Sequence, residues 1–414
     1  MNMAPLPPMP LMSERRVSII GALLVAIGPF SMALYTPAMP EIVQAFGTTE
    51  AMVKMSLSLY FAGFAVAQLF CGPLSDGLGR RPVTVAFMGI YTVASLFALF
   101  APSVEVLIAS RFVQGVGAAV GVAMSRAIVR DLFTHEQSAR IMNLIGIILA
   151  IGPALAPTIG GIVMQLFGWH SVFLIMALCG IGIALVAIFA LRETVQRDLS
   201  RIRPLALMGS YGSLLRSPYF LTASLANAGA SGALYAQATV LPFILMDRVG
   251  LTPVQFGLGM MMQTLSFLSG SLVLRRLMPR FGAFTLVPVG LCMIGLGSLA
   301  TAILPHLIEP TFLSVMVPVG VYAFGIAFVT PAMSTAAMSP FPGNAGAAAA
   351  MMGFLQMGMG LAGGAVMAAI GDPLTGMSIF IPCLGLMCIL SWLVWRRLPN
   401  PTRPARIVET IIEP

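Results

Sequence analysis

The 414-residue chain contains few charged residues. Only 9% of its residues are Asp, Glu, Lys or Arg, whereas soluble domains carry roughly 25%. Hydrophobic residues account for 58% of the chain. This balance excludes an ordinary soluble domain and indicates a protein whose main solvent is lipid.

Lysine occurs once, at Lys54, so 21 of the 22 basic residues are arginines. No glycine-rich stretch precedes Lys54, and the P-loop pattern that cradles ATP phosphates is therefore absent. The net charge is +8, but the basic residues stand singly or in pairs without interleaved aromatic residues, which argues against nucleic-acid binding. We expect uphill work to be driven by an ion gradient or by a separate subunit, with no ATP site in this chain.

Cysteine and histidine are also scarce. The five cysteines lie in apolar stretches without C-x-x-C pairs, and the three histidines lie in predicted loops, apart from the cysteines and from one another. Protein-bound zinc and haem need clusters of such ligands at short spacing. We therefore predict no metal site and no cofactor.

Long apolar runs are the dominant positive feature. A helix needs ~20 apolar residues to cross a bilayer, and the chain holds twelve such runs, bounded by charges, Pro and Gly. They predict membrane-spanning helices at approximately 17–40, 51–74, 82–101, 104–129, 140–166, 171–191, 219–245, 253–274, 283–304, 311–334, 345–369 and 375–395.

The longest polar break, Arg192 to Ser217, divides the twelve predicted helices into six and six. This division predicts one six-helix bundle over residues 17–191 and a second over 219–395. A cytoplasmic loop, 192–218, would join them, between a cytoplasmic tail at 1–16 and another at 396–414. Two halves of about equal length are typical of transporters built from internal repeats.

The basic residues are distributed unequally between the two ends of the predicted helices. With alternate loops assigned to opposite sides, 19 basic residues fall on the side of the termini, and only Lys54 and Arg248 fall on the other. Cytoplasmic loops are enriched in Lys and Arg, so both termini are predicted to be cytoplasmic. Because the preference for Arg over Lys is typical of GC-rich genomes, we expect a multi-pass protein of a bacterial inner membrane.

One loop carries a distinctive local pattern. Gly-Pro-Leu-Ser-Asp-Gly-Leu-Gly-Arg-Arg-Pro runs from Gly72 to Pro82, after the second predicted helix. Gly72 and Gly79 allow a tight turn and close helix approach, while Asp76 suits a helix end and Arg80 suits a charge-assisted pair with a carboxylate. A tight turn with basic membrane anchors would be the purely structural interpretation.

This stretch closely resembles the loop signature between the second and third helices of the major facilitator superfamily. The resemblance implies that Asp76, Arg80 and Arg81 belong to a cytoplasmic gate. It also implies an ionic latch to an acidic residue at the end of the fourth helix, which by position is Asp131. In the family this latch stabilises the outward-facing state.

Arg111 lies inside the fourth predicted helix, roughly 12 Å along it from Ser103. A charged residue at such a depth costs at least ~2.5 kcal/mol and usually faces the bundle interior. Gln114 shares its helix face. The Arg-x-x-Gln-Gly pattern resembles the fourth-helix motif of drug:proton antiporters in the superfamily, which implies a role in proton coupling. A hydrogen bond from Arg111 to the backbone of a neighbouring helix is the structural alternative.

The fifth predicted helix has small residues every three or four positions and two prolines, Pro153 and Pro157. Small residues permit close helix packing, which alone would explain the pattern. The ending Pro157-x-x-Gly160-Gly161 is similar to the antiporter motif of the superfamily's exporters, although Ala156 replaces the Gly expected before Pro157.

The end of the first predicted helix, Tyr35 to Glu41, resembles Bcr/CflA-type drug-resistance transporters. Many members carry an Asp two residues before this Tyr, where the present chain has Ala33. No acidic residue lies clearly at mid-bilayer. If protons are coupled, then Asp131, a carboxylate near the outer mouth, or the substrate itself carries the proton.

Polar and aromatic residues on interior helix faces are the candidates for a substrate cavity. Each of them could equally be a hydrogen-bonding contact between helices. The candidate set is Tyr35, Tyr60, Phe64, Gln68, Asn143, Asn227, Ser231, Tyr235, Gln263, Tyr322 and Gln356.

The resemblance implies an all-α membrane protein with twelve helices in two pseudo-symmetric six-helix bundles. It also implies export of small amphipathic compounds or drugs in exchange for protons, by alternating access. We expect a monomer in the lipid bilayer that binds small molecules and protons and is not an enzyme. A passive facilitator or importer of a small metabolite is the main alternative, because a mid-membrane carboxylate is missing. A membrane enzyme or sensor is disfavoured, because no catalytic residue set is visible.

Overall fold

The structure is a computed structural model that describes residues 11–133, 135–202 and 204–399. Its described part is helical and contains no strand. The helices are α1 (Glu14–Tyr35), α2 (Met39–Phe46), α3 (Glu50–Leu78), α4 (Arg80–Leu99), α5 (Val104–Ala118), α6 (Val120–Leu132), α7 (His135–Phe167), α8 (His170–Phe189), α9 (Pro204–Leu215), α10 (Pro218–Ala238), α11 (Pro253–Phe281), α12 (Ala283–Leu307), α13 (Phe312–Met338), α14 (Ala345–Ile370) and α15 (Pro373–Trp395).

The predicted all-α membrane architecture is confirmed, and each predicted span coincides with a long helical stretch. A short 3₁₀ turn, Thr36–Ala38, continues α1 into α2, and α5 continues into α6. Among the described residues, ten stretches are long and apolar enough to cross a bilayer by length and composition. The two remaining spans are α10 and α7, whose described apolar part is Ala154–Phe167.

Helix α10 has lower hydropathy than the other spans, and it is largely enclosed by other helices of the second bundle. Its sequence is rich in Ala, Gly, Ser and Asn, and most of its residues are buried. It packs against α13, α14 and α15. Small residues allow helices to approach closely inside a bundle, so α10 needs no large apolar side chains to face lipid.

The buried apolar residues form two main clusters, one in each half of the chain. The first is drawn mostly from residues between Met12 and Leu191, and the second from residues between Leu214 and Cys388. The two groups of helices meet through α3 with α14 and through α7 with α11. The molecule is therefore two helix bundles joined along two helix pairs.

The segment between the bundles contains a helix that the sequence analysis placed in a loop. Helix α9 lies in this segment, and Tyr211 on α9 donates a hydrogen bond to the carbonyl of Leu69 on α3, at 2.6 Å. Nearby, the Asp198 N–H donates to the carbonyl of Gly77, at 2.9 Å. The connecting segment is thus packed onto α3.

Glycines bring α3 and α5 into backbone contact. A Cβ atom on Gly115 would overlap the carbonyl oxygen of Tyr60, and one on Gly63 would overlap that of Phe112. These reciprocal contacts place Arg111 on α5 beside the aromatic residues of α3.

We predict that Gly115→Val destabilises the bundle, because its side chain would force α3 and α5 apart. Overpacking of this kind costs about 1–3 kcal/mol, so thermal unfolding in detergent should shift several degrees lower. Gly89→Val is the matched control, since no neighbouring atom lies within 4 Å of a Cβ at Gly89. Equal melting temperatures for the two variants would contradict the close contact.

Candidate functional site

The end of the bundle that carries the Gly72–Pro82 loop, here called the motif end, holds a buried ion-pair network. Gly79 separates α3 from α4 with a φ of 103°, a conformation that favours glycine. Arg80, which is 2% exposed, forms an ion pair with Asp76 at 2.6 Å and donates from Nε to Asp131 at 2.9 Å. The structure therefore brings Arg80 together with the acidic partner expected from its position. The gating role of this network stays a prediction.

Glu193, which the sequence analysis missed, caps the first turn of α4. Its carboxylate accepts the backbone N–H groups of Arg80 and Arg81, at 2.8 and 3.1 Å. A negative charge at a helix N-terminus is stabilising. Arg81 itself donates to the carbonyl of Ile188 at 2.5 Å, and Thr194 donates to Asp131 at 3.0 Å. The network thus ties α8 and the connecting segment to the motif.

A cavity of about 190 Å³ opens beside this network. It lies between the two bundles, because α3, α6 and the connecting helix α9 form part of its wall and the first turns of α14 form another. Gly72, itself a predicted site residue, lines it. Its polar lining consists of Gln68, Asp76, Arg80, Arg126, Arg130, Ser210 and Tyr211.

Arg111 is fully buried in the first bundle, and its guanidinium lies over two aromatic rings. The guanidinium carbon lies 4.4 Å from the ring centroid of Tyr35 and 4.3 Å from that of Tyr60. Its NH1 group donates to the side-chain carbonyl of Gln114 and lies 3.9 Å from the sulfur of Met176. Arg111 and these four neighbours are here called the Arg111 cage. The described contacts of Arg111 are to side chains, in contrast to the structural alternative of backbone contacts.

Further hydrogen bonds fix the walls of the cage. The hydroxyl groups of Tyr35 and Ser56 lie 2.7 Å apart, and Tyr60 donates to the carbonyl of Gly28 at 2.9 Å. The amide of Gln114 donates to Ser95 at 2.7 Å. The aromatic rings are therefore held at the guanidinium by partners on neighbouring helices.

The small residues at the end of α7 pack this helix against both bundles. A Cβ on Gly160 would overlap the carbonyl oxygen of Leu34 on α1, and one on Gly161 would overlap that of Pro253 on α11. The carbonyl of Pro157 in turn lies 2.6 Å from the Cβ position of Gly257 on α11. The two bundles are therefore in backbone contact at the end opposite the motif.

The structure does not gather the other predicted cavity residues into one site. Phe64 packs on Tyr60, with ring centroids 6.4 Å apart, and Gln68 faces Gly353 of α14. Tyr235 meets Phe61 across the bundle boundary, with a centroid distance of 5.5 Å. The side chains of the predicted residues Asn143 and Pro153 lie outside the described part of the structure.

In the second bundle, the predicted residues mostly bond to neighbouring helices. Ser231 lies 3.5 Å from Asn227 and 3.1 Å from Thr330, and Tyr322 donates to the carbonyl of Gly229 at 2.9 Å. Gln263 donates to Gln237 at 2.8 Å, a partner that the sequence analysis missed. Gln356 is half-buried, and its backbone carbonyl faces Gly232.

The end opposite the motif, here called the Lys54 end, contains a second charged cluster. Lys54 is fully buried, pairs with Glu50 at 2.9 Å and lies 5.0 Å from the ring centroid of Phe243 in the second bundle. Arg248 pairs with Asp372 at 2.7 Å. The sequence alone was used at Lys54 to exclude a P-loop and to orient the chain, and the ion pair was not predicted. Its spacing of four residues from Glu50 was the available signal for a pair.

Two carboxylates of the Lys54 end have opposite pKa shifts. Loss of water contact raises the pKa of Asp247 above its ordinary value of 3.8, the negative charge of Glu50 raises it further, and Lys54 opposes both effects. Burial also acts to raise the pKa of Asp372, but hydrogen bonds from Thr375 and the charge of Arg248 outweigh it and lower that pKa. Asp247 is therefore the more easily protonated of the two.

We predict that protonation of Asp247 at low pH stabilises the arrangement in which the two bundles are in contact at the Lys54 end, here called the closed arrangement. Because the raised pKa belongs to the closed arrangement, the closed arrangement gains stability when Asp247 is protonated. It loses that contribution as pH rises above about 4 through the raised pKa. Spin labels at Pro102 and Glu309, which are exposed at this end of different bundles, would report the distance by double electron–electron resonance after replacement of the native cysteines.

The long-distance population should grow with pH in the otherwise native chain. Asp247→Asn should flatten this dependence, since Asn cannot titrate. The other charged residues of this cluster are Glu50, Lys54, Arg248 and Asp372. Glu50→Gln, which removes a different carboxylate from the cluster, is the variant with which Asp247→Asn is compared. An unchanged pH dependence in Asp247→Asn would assign the titration to another group.

Solved structures with similar folds include transporters. A bacterial homologue of the human lysosomal transporter Spinster, in an inward-facing and unoccupied conformation, has a TM-score of 0.68 and 15% identity, covering 92% of this chain and 96% of that one. A D-xylose–proton symporter has a TM-score of 0.72 and 13% identity, covering 94% and 98%. At these identities the similarity establishes the fold alone.

Similar sequences occur among bacterial membrane proteins. The Escherichia coli multidrug resistance protein D is 29% identical over 376 residues, covering 90% of this chain and 93% of that protein. A Haemophilus influenzae bicyclomycin resistance protein homolog is 26% identical over 387 residues, covering 93% and 96%. The Bacillus subtilis uncharacterized MFS-type transporter YdgK is 29% identical over 345 residues, covering 82% and 85%. The family model of the Major Facilitator Superfamily matches residues 21–368, and the chain belongs to this superfamily.

Proposed function

We propose that the chain is a secondary transporter that exports small amphipathic compounds, drugs among them, in exchange for protons by alternating access. The observation that carries the proposal is the asymmetry of the bundle boundary. At the Lys54 end, α7 and α11 are in backbone contact, whereas at the motif end a polar cavity lies between the bundles. If the two bundles rock about a central site, the Lys54 end would open while the motif end closes, and the reverse.

The names of the similar bacterial proteins favour export of drugs over other cargo. Multidrug resistance protein D and the bicyclomycin resistance protein homolog align with more than nine-tenths of their own length. Phe61 and Tyr235 meet at the bundle boundary, and Tyr60 and Phe64 extend this aromatic surface into the first bundle. Such a surface suits amphipathic molecules, because aromatic side chains offer large apolar contact areas.

The proposed setting is a bacterial inner membrane, with the motif end and both termini in the cytoplasm. The excess of basic residues at that end supports this orientation. We take residues 17–191 and 219–395 as the two moving units and 192–218 as their cytoplasmic connection. The protein is proposed to act as a monomer, with small molecules and protons as its partners, without ATP, nucleic acid or catalysis.

Proton coupling is proposed to use carboxylates at the ends of the bundle. Asp131 in the Arg80 network and Asp247 beside Glu50 and Lys54 are the candidates. Loss of the Asp131 charge would leave Arg80 paired with Asp76 alone. Protonation of Asp247 would favour the closed Lys54 end, because its raised pKa belongs to that arrangement.

A passive facilitator or importer is the second candidate, and two observations favour it. No ion pair to Arg111 occurs within the described residues, and Ala33 stands where related drug transporters often have Asp. A transporter without an acidic residue next to its buried cation would need no proton to complete its cycle.

Everted vesicles with an acidic interior distinguish the two functions. We expect chloramphenicol-like neutral amphipathic compounds to dissipate the pH gradient, since each exported molecule enters the vesicle as protons leave. Arg111→Ala should lower the initial rate roughly tenfold or more, because it removes the charge that orders the cage. Arg140→Gln is the matched control, because the Arg140 side chain is 73% exposed.

The contrary results are equally specific. Uptake of the compounds by wild-type vesicles without a pH response would replace the antiporter by a facilitator. An Arg111→Ala rate equal to that of Arg140→Gln, at matched protein abundance, would remove Arg111 from the transport mechanism.

A further inference from the structure

We propose that the Arg111 cage binds a carboxylate group of the transported compound, so that the substrates of this exporter include amphipathic monocarboxylates. The inference rests on the proposed export function and names one substrate class for it. Three features of Arg111 support it: its unused hydrogen-bond donors, its unpaired charge and its aromatic surroundings.

The donors of Arg111 are only partly used. A guanidinium carries five N–H donors in a rigid plane. The guanidinium carbon lies over the rings of Tyr35 and Tyr60, and NH1 is directed to Gln114 and Met176. Nε and NH2 are buried and have no hydrogen-bond partner in the described part of the chain. The unused donors therefore belong to a single edge of the guanidinium.

That edge matches the geometry of a carboxylate. Nε–H and the neighbouring NH2 group present two parallel donors, and the two oxygens of a carboxylate accept them together in a bidentate pair. A neutral carbonyl or an ether offers only one oxygen to this edge. The geometry thus favours a planar anion with two oxygens over the other polar groups of amphipathic compounds.

The charge of Arg111 leads to the same ligand. Arg111 forms no ion pair with an acidic side chain in the described part of the chain. The described ion pairs lie at the two ends of the bundles. Contacts with two aromatic faces offset part of the cost of burying a cation, but a desolvated charge is normally paired. An anion from outside the chain would complete the site.

Aromatic side chains connect the cage to the boundary between the bundles. Tyr60 covers Arg111 and also contacts Phe61, with ring centroids 6.1 Å apart. Phe61 in turn contacts Tyr235 of the second bundle, at 5.5 Å. A ligand with its carboxylate at Arg111 would place its apolar body along these rings when the bundles separate, which is why we infer an amphipathic acid.

The cavity at the motif end carries the complementary charge. Asp76 and Arg80 form a pair within its lining, and Arg126 and Arg130 add two further positive charges. Because the charges of this lining sum to a net positive value, the cavity raises the local concentration of anions. Gln68 on its wall is eight residues from Tyr60, or about 12 Å along α3. An anion entering this cavity would approach the cage.

Equilibrium binding to the full chain in nanodiscs tests the proposal. The probes are radiolabelled 4-butylbenzoate and the neutral 4-butylbenzamide, which have nearly the same shape. At neutral pH we expect the benzoate to bind wild-type protein roughly tenfold or more tightly than the amide. Empty nanodiscs measure partition into lipid.

Two variants place the preference at Arg111. Gln114→Glu sets a negative charge against NH1, so it should abolish the preference for benzoate over benzamide. Arg111→Gln should do the same by removing the cation. Arg140→Gln, a change of an exposed arginine, should keep the full preference. Thermal unfolding confirms that each variant is folded.

Several outcomes would overturn the proposal. Equal affinity for benzoate and benzamide would remove the carboxylate site, and a preference that survives both Gln114→Glu and Arg111→Gln would place it elsewhere. Full displacement of benzoate by chloride, together with a chloride requirement for transport of neutral compounds, would make Arg111 an inorganic-anion site. Binding is measured here without transport, so loss of the preference for benzoate would leave the export proposal intact. Benzoate binding without any export would contradict the export proposal and leave the carboxylate site intact.

Discussion

The constraint on which this structure depends is the absence of water from the bilayer interior. Every backbone N–H and C=O group must be satisfied within the protein, and the described part of the chain is accordingly helical, without strands. The same constraint sends charges to the ends of the helices, where Arg80 and Lys54 find carboxylate partners. Arg111 is the exception, since it is fully buried and has no such partner in the described part of the chain. Because burying an unpaired charge lowers the stability of the fold, its presence at Arg111 indicates a functional position.

The contacts between the bundles are formed largely by glycines, which allow the helices to shift relative to one another. Gly353, Gly360 and Gly364 lie on one face of α14, at steps of seven and four residues, and face Gln68, Phe61 and Ser58 of α3. A glycine face is smooth, so that another helix can lie against it closely and shift on it without unlocking interdigitated side chains. The contact of α7 with α11 uses glycines in the same way. Glycine thus permits both close approach and relative movement at the two lines where the bundles meet.

The sequence predicted the features that depend on local patterns. Apolar length located the helices, and the resemblance of the Gly72–Pro82 loop to the superfamily signature implied the pairing of Arg80 with Asp131. Residues that act across long sequence separations were not predictable. Glu193 reaches the start of α4 from 112 and 113 residues away, and no periodicity records such a contact.

Polar residues inside helices were the weakest part of the sequence analysis, for a physical reason. A hydroxyl or amide on an interior face can bond a neighbouring helix or a ligand, and both uses produce the same sequence pattern. Tyr322 bonds the carbonyl of Gly229, and Gln263 bonds Gln237. By contrast, the side chains of Gln68 and Asn227 have buried atoms without partners in the described part of the chain. Only tertiary geometry separates these cases.

Helix α3 connects the charged sites of the first bundle. It carries Lys54 at one end, Tyr60 at the Arg111 cage, Gln68 at the cavity and Asp76 at the Arg80 network. The 22 residues from Lys54 to Asp76 span about 33 Å at ~1.5 Å per residue. Because α3 is also the helix that lies on the glycine face of α14, a tilt of α3 on that face would move all four positions together. Closure at the Lys54 end, contact at the cage and the motif-end network are therefore linked through one rigid element, which is the physical basis on which binding at the centre could bias the two ends in opposite directions.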